Sequence, residues 1–152
     1  MNASGTDTLS LLLERAEGER DAAARALHTA GLQAQAARAQ HGELTGYRQD
    51  YQQRWTQSFA NGTTMSLVGC YQSFGQRLDQ AVTTQGHVAS HADQRQVRAR
   101  EALHQAELRV AALRQLIARR QAEAAKVAQR REQRATDEFA ARAHLRRASA
   151  HA

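Results

Sequence analysis

The side chains best suited to chemistry in this chain are seven histidines, one cysteine and a group of aromatic residues near the middle. His87 and His91 stand four apart and share one face of a helix, but two imidazoles without a carboxylate or thiolate at matching spacing do not complete a metal site. Cys70 is alone, so it forms neither an internal disulfide nor a cysteine cluster, and it is expected as a small packed residue near a turn. No glycine-rich phosphate loop stands in the sequence, and no Ser/His/Asp or Cys/His arrangement rises above chance. The expectation is a chain with no catalytic residue, no metal and no cofactor.

Binding chemistry is better represented. Six of the seven aromatics lie between Tyr47 and Phe74. Tyr47, Tyr51, Trp55 and Phe59 recur every four residues, a spacing that rotates the stripe by about 40° per step on a helix, so they cannot all face one seam. Either they stiffen the tip of a hairpin or some are exposed as a binding surface. A second feature is the charge at the end. Residues 114–152 hold 9 Arg and Lys126 against Glu123, Glu132, Asp137 and Glu138, while the acids and bases of residues 1–113 cancel, so the net charge of +6 sits in the last quarter. Such a tail suits nucleic acid, an anionic membrane or an acidic protein. Asp137 and Glu138 interrupt the basic run, which weighs against nucleic acid and leaves a solvated face or a protein partner.

The elements that carry these residues are helices. Alanine, arginine and glutamine account for 32, 20 and 18 of the 152 residues, and there is no proline. That composition cannot fill a large core and matches long helices or coiled coils. An apolar seam runs through Leu9, Leu13, Ala16, Ala23, Leu27, Ala30, Ala34, Ala37 and Leu44, with Thr6, Asp7 or Thr8 as the helix cap. Stop and start signals adjoin only at Asn61-Gly62-Thr63-Thr64, where Asn-Gly accepts positive φ and a threonine can cap the next helix. The second seam is expected through Leu67, Tyr71, Phe74, Leu78, Ala81, Gln85, Val88 and Ala92, then Ala106, Val110, Leu113, Ile117, Ala124 and Val127, with a stutter at 102–106–110.

The fold class is therefore all-α: a long antiparallel two-helix coiled-coil hairpin with a C-terminal helical overhang, one domain over residues 1–152. The first helix covers about 7–59, the turn about 60–64 and the second helix about 65–147. Residues whose numbers add to about 125 should face each other. That rule puts Tyr51 with Phe74, Tyr47 with Leu78, Leu44 with Ala81 and Gln40 with Gln85, eight residues forming one patch. Beyond about residue 118 the second helix has no partner, an overhang of about thirty residues or roughly 45 Å. No apolar run is long enough to cross a membrane, and no basic region precedes Leu9 as in a secretory signal, so the expected location is the cytoplasm.

Four stretches, LLLERAEGERDAAARAL (11–27), LTGYRQDYQQRW (44–55), CYQSFGQRLDQAVTTQ (70–85) and REQRATDEFAARAHLRR (131–147), resemble in order and spacing the FliJ family of the bacterial flagellar export apparatus. The resemblance implies a non-enzymatic stalk and escort similar to the central stalk of rotary ATPases, serving flagellum biogenesis and motility. Its implied partners are the export ATPase FliI, the gate protein FlhA, the ATPase regulator FliH and export chaperones. The protein would lie peripherally at the cytoplasmic face of the inner membrane and would not bind nucleic acid. Carried over residue by residue, the ATPase side is Leu13, Glu17, Arg20, Asp21, Arg119, Arg120, Arg130, Arg131 and Arg142. The gate-binding surface is Gln40, Leu44, Tyr47, Tyr51, Phe74, Leu78, Ala81 and Gln85. The rivals are a nucleic-acid-binding basic coiled coil and the equivalent stalk of a virulence injectisome.

Overall fold

The computed structural model describes residues 2–151, with side chains from residue 4 onward. Two helices, α1 (Asn2–Ala60) and α2 (Met65–Ala150), pack against each other as a hairpin, with no strand among the described residues. The turn lies where the Asn-Gly pair places it. Gly62 has φ 83°, the amides of Asn61 and Gly62 donate to the carbonyls of Ser58 and Phe59 at 3.2 Å, and the Leu67 amide approaches the Thr64 hydroxyl at 3.5 Å. At the other end, α1 is already helical at Asn2, so Thr6, Asp7 and Thr8 lie inside it and the Thr8 hydroxyl donates back to the Ser4 carbonyl.

Contacts divide the chain into two compact units, Gly18–Glu107 and Met1–Glu17 with Leu108–Ala152. In the first, the least exposed positions of α1 recur at Arg20, Ala23, Leu27, Ala30, Ala34, Ala37, His41, Leu44, Arg48, Tyr51 and Trp55. These alternate steps of three and four residues without a skip, the a and d positions of a heptad. Ala34, Ala37, Ala89 and Ala92 form its buried centre. With only methyl groups between them, the backbones approach closely. Gly31 and Gly86 mark this: a Cβ on Gly31 would meet the Gln96 amide at 3.3 Å, and one on Gly86 would meet the His41 ring at 3.2 Å. In the second unit Leu9 and Ala16 are buried with Val110, and Leu13, Leu113 and Ile117 are half-buried.

The α2 seam differs from expectation in every second residue. Tyr71, Leu78, Gln85 and Ala92 lie on it as expected, but Val68, Gly75, Val82 and Ala89 occupy the positions assigned to Leu67, Phe74, Ala81 and Val88, which are exposed one step to the side. The expected stutter is absent, because Leu103 rather than Ala102 is the seam residue and Ala99, Leu103, Ala106 and Val110 keep the alternating steps. Facing pairs thus fall one residue beyond the anticipated sum. Cys70 is exposed rather than packed, since it lies two positions past the seam residue Val68.

Ion pairs flank the seam within each unit. Arg38 reaches Asp93 at 3.5 Å and Arg48 reaches Asp79 at 3.6 Å in the first unit, and Arg114 donates to Glu17 at 3.2 Å in the second. Arg38, Asp93, Glu17 and Arg114 are all e positions, immediately after a d residue, so an antiparallel pair here brings e against e. Each exposed pair contributes about 1 kcal/mol or less, and their value is in fixing register.

The small seam is open to a direct test. Ala34→Leu should destabilise the chain by about 1–3 kcal/mol in urea unfolding followed by helicity, because it forces extra methylenes between close backbones, whereas Ala36→Leu on the exposed side should change little. Equal stability of the two variants would contradict the close alanine packing.

Candidate functional site

Two surfaces stand out, one in each unit. The first lies beside the turn. As α1 leaves the alanine-rich seam its side chains become large, and Tyr51, Trp55 and Phe59 meet Tyr71 and Phe74 of α2. Tyr51 lies 5.2 Å from the Tyr71 ring and 4.8 Å from Phe74, while Trp55 is 4.5 Å from Tyr71 and 5.4 Å from Phe59. Five of the six clustered aromatics are therefore tied together, at spacings where ring pairs contribute about 0.5–1.5 kcal/mol beyond burial. Tyr47 is the exception. It lies 55% exposed, one step off the seam, and joins none of these ring contacts. Five of the aromatics thus stiffen the tip of the hairpin, and Tyr47 stands apart from them.

The rest of this patch lies around Tyr47. Phe74 is exposed on the same flank as Tyr47, both being residues that immediately precede an a position. The Gln85 amide donates to the Gln40 side-chain oxygen at 3.1 Å and to the Ala37 carbonyl at 3.3 Å, joining the two helices where they were expected to meet. Gln40 and Ala81 are exposed, and Leu44 and Gln85 are half-buried. Leu78 is buried at 7% exposure, so it supports the patch from below and presents no side chain at its surface.

The second surface belongs to the other unit. Every residue from 118 to 142 is exposed while the helix continues to Ala150. Arg119, Arg130, Arg131 and Arg142 take part in no hydrogen bond or ion pair among the described residues. Arg120, expected beyond the reach of α1, has its guanidinium 3.2 Å from where a Cβ on Gly5 would lie, so the two helices stay in touch slightly further than anticipated. Leu13 is half-buried in the seam, and Glu17 is held by Arg114, a partner the sequence reading did not assign. The signal for it was the e-to-e offset, legible only once the register is known. Arg20 and Asp21, in the first unit, bond each other at 3.1 Å.

His87 and His91 are exposed on α2, and among the described residues no group of three or more His, Cys, Asp or Glu could hold a metal. No helix among them is long and apolar enough to cross a membrane.

A family model described as flagellar FliJ protein matches residues 6–149. No curated protein and no solved structure gives a match. Because the match runs through both helices and the turn, the chain belongs to the flagellar FliJ protein family, a non-enzymatic component of flagellar export.

Proposed function

We propose that the chain acts as a stalk between the export ATPase and the export gate, with the basic stretch of α2 bound in the ATPase ring and the Tyr47 patch bound to the gate. The observation that carries this reading is the unpaired helix itself. A helix exposed on all sides over residues 124–142 and rich in arginine gains nothing for the hairpin, whereas docked in an acidic ring it would be ordered and charge-compensated. The ring would supply every catalytic group. The stalk would favour the closed arrangement of its subunits and so raise hydrolysis, acting at the cytoplasmic face of the inner membrane. FliI and FlhA are the proposed partners, with FliH and export chaperones as further members of the assembly.

The two surfaces should separate by mutation. Tyr47→Ala should weaken gate binding by about 2 kcal/mol with no loss of thermal stability, since the ring is exposed and outside the aromatic cluster. Tyr51→Ala together with Phe74→Ala should lower stability as well, because it removes packed rings. Calorimetric titration of each variant against the purified gate domain, alongside a thermal melt, measures both. Unchanged affinity in Tyr47→Ala would remove the patch from the gate interface.

Reversal of Arg119, Arg120, Arg130 and Arg131 to Glu should reduce ATPase stimulation and slow association, most clearly at low salt, because exposed charges are screened over about 8–10 Å. Gate binding should persist. Full stimulation by the reversed chain would refute ring docking. Tight, salt-sensitive duplex binding by the parent, lost in the reversed chain, would favour the nucleic-acid reading instead.

A further inference from the structure

The heptad of α2 does not stop where α1 stops. Counting on from Val110, Leu113 and Ile117, the same a and d positions fall at Arg120, Ala124, Val127, Arg131, Arg134, Glu138, Ala141, Leu145 and Ala148. From Ala124 onward every one of these positions is exposed, Val127 and Leu145 at 46% and 67%. A coiled-coil stripe therefore extends for about three heptads past the last residue that α1 covers. We infer that this stripe pairs, antiparallel and about a twofold axis, with the same stripe of a second copy of this chain.

Charge and size complementarity carry the choice of occupant. The hairpin itself shows the rule for antiparallel pairs in this sequence: a lies against d, as Ala34 and Ala37 with Ala89 and Ala92, and e lies against e, as Arg38 with Asp93 and Glu17 with Arg114. By symmetry the remaining flank brings g against g. Applying that rule to two copies so that Val127 faces the other copy's Leu145 puts Glu138 against Arg134 and Arg131 against Ala141, where its long stem has room. The g positions then place Arg130 against Asp137 and Glu123 against His144. Each match occurs twice by symmetry, and three of the four acids in residues 114–152 meet a basic group. Lys126, Arg146 and Arg147 fall on outward positions.

Other alignments of the same stripe lose these matches. Slipping by one heptad places Arg130 against its own copy in one direction and Asp137 against its own copy in the other. A slip of two heptads toward the hairpin drives the second copy's Leu145 to the level of Leu113, where α1 already lies. A parallel in-register pair stacks Arg131 on Arg131 and Glu138 on Glu138. Polar residues at a and d positions fix register and orientation in this way, at some expense of stability. The pairing covers Arg130 and Arg131, so it and ring docking exclude each other. The dimer is a form in which the basic helix is kept ordered until the ring takes it, although the pairing itself does not rest on that reading.

Sedimentation equilibrium of the full chain tests the proposal, with a charge swap as the diagnostic. The parent should dimerise reversibly with concentration. Glu138→Arg and Arg134→Glu should each weaken dimerisation at least about tenfold, and the two together in one chain should restore it, because the swap re-forms both pairs. All these positions are exposed in the hairpin, so the helicity of each variant should match the parent. In a Cys70→Ser background, Val127→Cys with Leu145→Cys should oxidise to a covalent dimer, whereas Val127→Cys alone should not, since its copies would lie on levels about 27 Å apart. A chain that stays monomeric at every soluble concentration, a double swap no better than its single changes, or equal cross-linking by Val127→Cys alone would each overturn the pairing.

Discussion

Ala34, Ala37, Ala89 and Ala92 leave almost no side chain between two helices, and that close approach constrains everything else in the molecule. A buried methyl contributes about 0.8 kcal/mol, far less than a leucine, so the seam cannot rely on burial per residue and must be long. It also tolerates little. Gly31 and Gly86 stand where Gln96 and His41 need the space, and register is held by exposed ion pairs and by the Gln40–Gln85 bond rather than by a few large anchors. Beside the turn the seam side chains become large, and there they form the aromatic cluster around Tyr51 and Tyr71.

A thin seam has a functional consequence. Because the hairpin is built from a narrow stripe, most of each helix is free to present other chemistry. In the first unit the flank opposite the ion pairs carries Tyr47 and Phe74, and in the second the whole circumference of α2 becomes available once α1 is no longer alongside. Apolar contact and charge are thereby assigned to different stretches of one simple fold, which suits the proposed recognition by two unlike partners.

Much of this was legible in the sequence, and the parts that were not have a physical reason. The helix class, the Asn-Gly turn, the α1 seam and the meeting of Tyr51 with Phe74 and Gln40 with Gln85 follow from periodicity and counting. The α2 seam was harder because Leu67 beside Val68, Phe74 beside Gly75 and Val88 beside Ala89 offer two overlapping stripes that share Tyr71, Leu78, Gln85 and Ala92. Size argues for the first of each pair. Packing against α1 selects the second, and no single-helix pattern reveals that preference, because it depends on the partner's side chains. The exposure of Phe74 and Val88 and the burial of Val82 and Ala89 depend on that one-residue choice.

The central claim is that the two surfaces are read by different partners, and backbone hydrogen exchange on the dilute full chain tests it most directly. Alone, amides within residues 121–150 should exchange quickly while those of the seam up to Ile117 are protected. Adding the export ATPase should slow exchange in the 119–147 stretch and leave residues 40–51 and 74–85 unchanged, and adding the gate domain should do the reverse. Protection by the ATPase that falls on residues 40–51 and 74–85, or none in the basic stretch, would contradict the account.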